Sequence, residues 1–332
     1  MRRRMSLAAV WAALVAVLAV SCGGSAPSSS SSGGLTQITI GALTPPSLGA
    51  FLPPIIKDRH LDTQNGLDLR FTYSANDAYN LSYTSGQLQV GGSASLIQEA
   101  LRWQQGVQSV YLFNVVDFWT GFLTKDPSIK SITDLAGKTV GMTTGSTNYA
   151  LSVWYLQQAG LDISKVKVVN LTSAAMGPAL EAGQVQAIDI PEPGYDTALG
   201  LDPNLHAIPL DITGIWKRKF NTTYIPFLGV AALPDWVSSH KKEIQELYRT
   251  YKEAADFVSR NPSQAATIIA RTIPGGRADV IQRLLADKQR MPLDVVPAQQ
   301  IKPGLKGMLE AGLATGYIRS RPGNSFLYSG LS

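Results

Sequence analysis

The sequence predicts an α/β protein built as two lobes. Three observations carry this. About 300 residues follow an apolar leader, enough for two cores of ordinary size. Strand-like runs alternate with helix-like ones through most of that length. Finally, Ser85-Gly86-Gln87-Leu88-Gln89-Val90 is echoed by Ala182-Gly183-Gln184-Val185-Gln186-Ala187. Each copy reads as a helix end, a glycine stop and a short strand, as similar α/β units in two lobes would produce.

The chain opens on Arg2, Arg3 and Arg4, followed by an apolar run over residues 7–20. The run is short for a membrane span and suits a signal segment. It ends in Leu18-Ala19-Val20-Ser21-Cys22-Gly23, which resembles a bacterial lipobox, with Ala19 where Leu is preferred. Residues 1–21 are therefore expected to be a lipoprotein signal peptide, and Cys22 the lipidated new N-terminus. Cys22 is the only cysteine, so no disulfide and no cysteine metal site can form. Residues 22–35, with serine unbroken over 28–32, read as a flexible tether of roughly 20 Å mean reach. Loss of the leader takes Arg2, Arg3 and Arg4 and lowers the formal net charge from +5 to +2. No basic run with interleaved aromatics remains, which argues against a nucleic-acid partner.

Residues 37–42 put Ile38 and Ile40 on one strand face, and residues 67–73 alternate Leu67, Leu69, Phe71 and Tyr73. Residues 107–116 and 166–171 are apolar and β-branched, and residues 227–233 read as a last strand. Largely parallel sheets are expected. After Ile40 a loop, Thr44-Pro45-Pro46-Ser47-Leu48-Gly49-Ala50-Phe51-Leu52-Pro53-Pro54, stands in place of a helix. Residues 241–260 carry Ile244, Leu247, Tyr248, Tyr251, Ala255 and Val258 at helical spacing, and residues 277–290 and 297–313 are further helices. Trp216, among Lys217, Arg218 and Lys219, reads as part of an irregular solvated loop.

Residues 137–148, Gly-Lys-Thr-Val-Gly-Met-Thr-Thr-Gly-Ser-Thr-Asn, read as strand, glycine turn and helix start. Ser146 or Thr147 can cap that helix, and Leu151, Trp154 and Tyr155 share one of its faces. Backbone N–H groups and hydroxyls would then converge where an anion or polar ligand can sit; an ordinary capped helix is the alternative. A phosphate loop is excluded, because Ile132 stands where that motif needs glycine. His60, His206 and His240 are scattered, so no metal site is expected, and no cofactor.

The ordered set Ile132-Thr133-Asp134-Leu135-Ala136-Gly137-Lys138-Thr139-Val140-Gly141, Gly145-Ser146-Thr147, Ala159-Gly160-Leu161-Asp162, Val168-Val169-Asn170-Leu171, residues 179–187, Pro191-Glu192-Pro193 and Asn261-Pro262 resembles the substrate-binding proteins of ABC importers, in the nitrate/sulfonate/taurine and pyrimidine-precursor group. The resemblance covers about residues 36–275, with Gln89 and Gln186 where the family usually has Asp. It implies a two-lobed, type II periplasmic-binding-protein-like fold and a monomer with two crossings between lobes. These are expected near residues 116–121 and 224–228, with lobe one as 36–117 plus 229–332 and lobe two as 118–228. It implies an extracytoplasmic, lipid-anchored solute receptor, not an enzyme, whose partners are a small solute and a permease–ATPase complex. The alternatives are an enzyme related to pyrimidine-precursor synthases and a ligand-sensing surface protein.

In open α/β sheets ligands meet loops at the carboxyl ends of strands. That rule selects Thr44, Ser47 and Phe51, Asn76 and Asp77, Ser93, Thr144, Gly145, Ser146, Thr147 and Asn148, and Glu192, with Asp117, Phe118 and Trp119 from the first crossing. Ser95 with Gln98 has the pattern of a capping box. Phe118 and Trp119 are open to stacking on a planar ligand or to plain packing. Glu192 is open to a ligand cation or to backbone N–H groups.

Overall fold

The computed structural model describes residues 34–291 and 293–331, with Asp294 described by its backbone alone. The leader, Cys22 and the tether up to residue 33 lie outside the described residues. The chain begins with β1 (Thr36–Leu43), α1 (Leu52–Asp58), α2 (Leu61–Gln64), β2 (Leu67–Ser74), α3 (Asn76–Thr84), β3 (Val90–Ser95), α4 (Leu96–Gln104) and β4 (Val110–Asp117). It continues through β5 (Gly121–Thr124), β6 (Thr139–Met142), α5 (Thr147–Gln158), β7 (Lys167–Asn170), α6 (Ser173–Glu181), β8 (Ala187–Ile190), α7 (Gly194–Leu201), β9 (His206–Ile208) and α8 (Ile212–Phe220). It ends with β10 (Pro226–Ala232), α9 (Pro234–Ser239), α10 (Lys241–Arg260), α11 (Pro262–Ala270), α12 (Ala278–Ala286), β11 (Leu293–Pro297) and α13 (Lys302–Ala314).

The strands form two sheets, one ordered β11-β4-β10-β3-β1-β2 and the other β7-β6-β8-β5-β9. The chain passes from the first sheet to the second between Asp117 and Gly121 and returns ahead of Pro226. Each sheet is parallel on one side, where β1 pairs β2 and β3 and β6 pairs β7 and β8. Each is antiparallel on the other, because β10 and β5 run against their neighbours. The expectation of largely parallel sheets is corrected accordingly: strands that re-enter or leave a sheet at a crossing arrive from the opposite direction.

The echoed segments do the same work in both sheets. Gly86 and Gly183 end helices with φ of 78° and 66°, a region that favours glycine, and β3 and β8 follow. A helix does follow β1, contrary to the sequence reading: Pro53 and Pro54 fill its first turn, where a missing N–H costs nothing. Trp216 is also corrected. It lies on α8 and is fully buried, because Ile212, Ile215 and Trp216 form an apolar stripe beside the exposed Lys217, Arg218 and Lys219.

Two large clusters of buried side chains surround the first sheet. One packs β1, β2, β4 and β10 under α1, α10, α11 and α12. The other joins Leu96 and Ile97 of α4, Leu151 and Trp154 of α5, Ile215 and Trp216 of α8, and Met308 and Leu309 of α13. This second core ties helices that flank both sheets, and it holds the crossings. Phe118 stacks on Tyr155 at 5.6 Å and meets Phe227 edge-on at 5.2 Å. Among the described residues no helix is long and apolar enough to cross a membrane.

Candidate ligand-binding site

A cavity of about 260 Å³ lies at the carboxyl ends of β1, β3, β4, β6 and β8. Leu43, Ser47, Asn76, Asn80, Ser93, Ser95 and Gln98 line it from the first sheet, and Trp119, Ser146, Thr147, Asn148, Pro191 and Glu192 from the crossing and the second. A larger hollow of about 560 Å³ lies under the C-terminal segment, at Val110, where β4 starts rather than ends. The cavity at the strand ends fits the α/β rule and the hollow does not.

Of the residues selected from sequence, Ser47, Asn76, Ser93, Trp119, Ser146, Thr147, Asn148 and Glu192 meet at this cavity. Thr44, Phe51, Asp77, Asp117, Phe118, Thr144 and Gly145 do not line it. Thr44 is exposed, with its backbone N–H on the Ser74 carbonyl. Asp117 is buried and turned to the crossings: Oδ1 accepts from Asn114 at 2.9 Å and Oδ2 from the Ile225 N–H at 3.0 Å. It fastens one crossing to the other. The Thr144 N–H donates to Asn170 Oδ1 at 3.0 Å. Gly145, with φ of 80°, makes the turn that aims α5, and its backbone conformation is the reason it is glycine.

Three helices start at the cavity. Asn76 opens α3, Ser95 precedes α4, and Ser146 precedes α5. Ser146 is a true cap. Its Oγ accepts from the Tyr149 N–H at 3.0 Å and donates to the Thr143 carbonyl at 2.8 Å. Its hydroxyl is therefore committed, and Thr147 keeps the free one. The expected Ser95–Gln98 capping box does not form: Ser95 makes no cap bond, and Tyr317 donates to Gln98 Oε1 instead. Ser95 is 7% exposed, and its hydroxyl is buried at the cavity with no partner among the described residues. Ser93 Oγ accepts from the Leu43 N–H at 3.0 Å, which secures the loop after β1.

The side chains at the crossing divide their work. Phe118 faces the aromatic core, whereas Trp119 is half-buried at the cavity, edge-on to Tyr195 at 5.0 Å. Asn148 Nδ2 donates to Thr120 Oγ1 at 3.3 Å, and Thr120 donates to the buried Asp189 at 2.6 Å. This leaves Asn148 Oδ1 buried without a partner among the described residues, an acceptor at the cavity wall. Burial pushes the Asp189 carboxyl up to about 7, against the pull of Thr120 and Ser152.

Glu192 is the one ionisable carboxylate or amine side chain in the lining. Its Oε2 accepts from the Asp196 N–H at 3.2 Å and its Oε1 from Arg290 Nη1 at 3.1 Å. Arg290, which sits between α12 and β11, also pairs with Asp196 and with Asp287 at 2.7 Å. The ion pairs thus link the two sides of the cleft. Burial first, and then the nearby Asp196 charge, raise Glu192 to about 7, while Arg290 opposes the shift. Sequence reasoning missed Arg290 and Asn80; it reached Asn148 through the strand-end rule and Ser95 as a helix cap. Among the described residues no cluster of side chains could hold a metal ion.

The NMT1/THI5 like family profile matches residues 63–265. The chain belongs to this family. In fold, this family member is similar to the periplasmic aliphatic sulphonate-binding protein SsuA of Escherichia coli, with a TM-score of 0.71 and 19% identity over 88% of this chain and 92% of that one. It is also similar to the alkanesulfonate-binding protein SsuA of Xanthomonas axonopodis pv. citri, solved bound to MOPS, with a TM-score of 0.68 and 18% identity over 90% and 97%. A Brucella abortus protein named as a binding protein is 22% identical over 255 residues, 74% of this chain and 78% of its own. The periplasmic-binding-protein-like fold expected from sequence is the fold observed.

Proposed function

We propose that this family member is the extracytoplasmic receptor of an ABC importer, held to the membrane through Cys22, and that its cavity binds a small organic oxyanion. Sulfonate-like compounds are the first choice, in keeping with what the SsuA proteins are named for. One observation carries the anion: three helix N-termini open on a cavity that no Lys, Arg or His lines. The first N–H groups of a helix lack intrahelical partners, and its positive end favours negative charge. The Ser95 hydroxyl, buried without a partner among the described residues, and the Thr147 hydroxyl in the lining add donors. Asn148 Oδ1 and Glu192, as acceptors on the far wall, suit a hydroxyl or amino group on the same solute. Ligand capture would close the lobes about the crossings near residues 116–121 and 224–228, with delivery to a permease–ATPase complex. The lining favours this over synthase chemistry, because its one carboxylate, Glu192, is already engaged by Arg290.

Thr147→Ala and Ser146→Ala separate binding from capping. Thr147→Ala is expected to weaken sulfonate binding by roughly 1.5–3 kcal/mol, as for a hydrogen bond to a charged group, with the melting of the free protein nearly unchanged. Ser146→Ala is expected to cost about 1 kcal/mol of stability. Calorimetry and thermal melts read both. Binding by Thr147→Ala within a factor of about two of wild type would move the anion away from α5.

The anchor has its own test. Cys22→Ser is expected to release the protein from the membrane or block its processing. Fractionation with a carbonate wash measures this, and wild-type retention of the variant would refute the anchor.

A further inference from the structure

We infer that Arg102, behind the cavity wall, is a positioning residue that turns Asn80 into a hydrogen-bond donor and so sets the cavity's preference for anions. The inference rests on the anion reading of the same cavity. Arg102 is 1% exposed and does not line the cavity. Its Nε lies 3.2 and 3.1 Å from the two Glu99 oxygens. Its Nη1 donates to the Asn80 carbonyl at 3.3 Å and to Thr84 Oγ1 at 3.2 Å, and its Nη2 donates to Asn80 Oδ1 at 2.6 Å. The guanidinium stands 4.8 Å over the Tyr83 ring, which fixes its plane.

A guanidinium has five donors and no acceptor. The amide atom facing it must therefore be oxygen, which settles which way Asn80 is turned. Asn80 Nδ2 then points away from Arg102, has no protein partner among the described residues, and belongs to a residue that lines the cavity. Arg102's own charge is met by Glu99, which in turn accepts from Ser109 Oγ at 2.6 Å. The buried cation thus lends the cavity a fixed donor rather than a free positive charge. Arg102 also holds the α3 backbone at Asn80, and with it Asn76 at the helix start.

A carboxylate at position 80 would keep the bond to Arg102 and turn its second oxygen to the cavity. Shape is preserved and polarity reversed. The test compares full-length wild type with Asn80→Asp in detergent, titrating ethanesulfonate and, as the matched cation, ethylammonium. Asn80→Asp is expected to lose sulfonate affinity by roughly 10- to 100-fold, the loss of one hydrogen bond to a charged group. The sulfonate-to-ammonium affinity ratio is expected to fall with it, while the melting temperature without ligand holds. Arg102→Lys, which keeps the charge but loses the fork that holds Asn80 Oδ1, is expected to lower the ratio as well, whereas a residue that only braces α3 would leave it unmoved in that variant. An unmoved ratio in either variant would overturn this inference and leave the anion receptor standing. Failure of wild type to bind ethanesulfonate, sulfate, acetate or nitrate would overturn the anion receptor and this inference together.

Discussion

Trp216→Ala is expected to destabilise the protein by about 3–5 kcal/mol, as large aromatic truncations in well-packed cores do. Trp216 is fully buried where α5, α8 and α13 meet. Its ring lies 5.5 Å from Trp154 and 4.5 Å from Phe220, and Gly307 of α13 is glycine because a Cβ there would come within 2.6 Å of the indole. The indole N–H donates to the Tyr224 carbonyl at 2.7 Å, beside the return crossing. Truncation therefore opens a cavity and also strips a carbonyl of its partner. The effect should reach binding, since Trp154 and Thr147 are on the same helix. Urea unfolding read by fluorescence measures the loss. A change below about 1 kcal/mol would mean that the shared core relaxes around the gap.

The second large effect is on pH. Asp189 is buried, and its carboxyl is raised to about 7 chiefly by desolvation. A raised carboxyl favours the protonated form in the folded state. Between about pH 4 and pH 7 the folded protein then holds a proton that the unfolded chain has released, and stability falls as pH rises. Above that window the cost is constant. Over the span of the shift it is on the order of 4 kcal/mol. Glu192, also raised to about 7, adds in the same direction. Asp189→Asn mimics the protonated form and keeps an oxygen to accept from Thr120. It is expected to be more stable than wild type at pH 8, equal to it near pH 4, and flatter between. Denaturation midpoints at pH 4, 6 and 8 give the slopes. A variant less stable than wild type at pH 8 would show that the carboxylate is stabilising there.

Much of this architecture is legible in the sequence. The stripe of Ile244, Leu247, Tyr251 and Val258 marks α10, whose bounds Lys241–Arg260 match the sequence reading. The glycine turn ahead of Ser146 marks the start of α5, because φ of 80° and a serine cap are local requirements that local residues satisfy. Strands such as β5 and β8, four residues each, are too short for periodicity to announce. Trp216 was misread because three cations follow it, although Ile212, Ile215 and Trp216 recur at helical spacing. The site was legible in outline, since the strand-end rule depends on fold class alone. Its chemistry was not. Asn80 gets its direction from a residue 22 positions away, Glu192 is bound by a residue 98 positions away, and Gln98 by one 219 positions away. No spacing rule reaches across a fold in that way.

On the reading proposed above, the cavity at the three helix starts receives an oxyanion. Isothermal titration of the leader-free protein with ethanesulfonate, beside ethylammonium at the same ionic strength, decides between the two signs of charge. The expected result is saturable binding of one ethanesulfonate per chain, weakened in Thr147→Ala, with no measurable heat from ethylammonium. Binding of ethylammonium in preference to ethanesulfonate would contradict it.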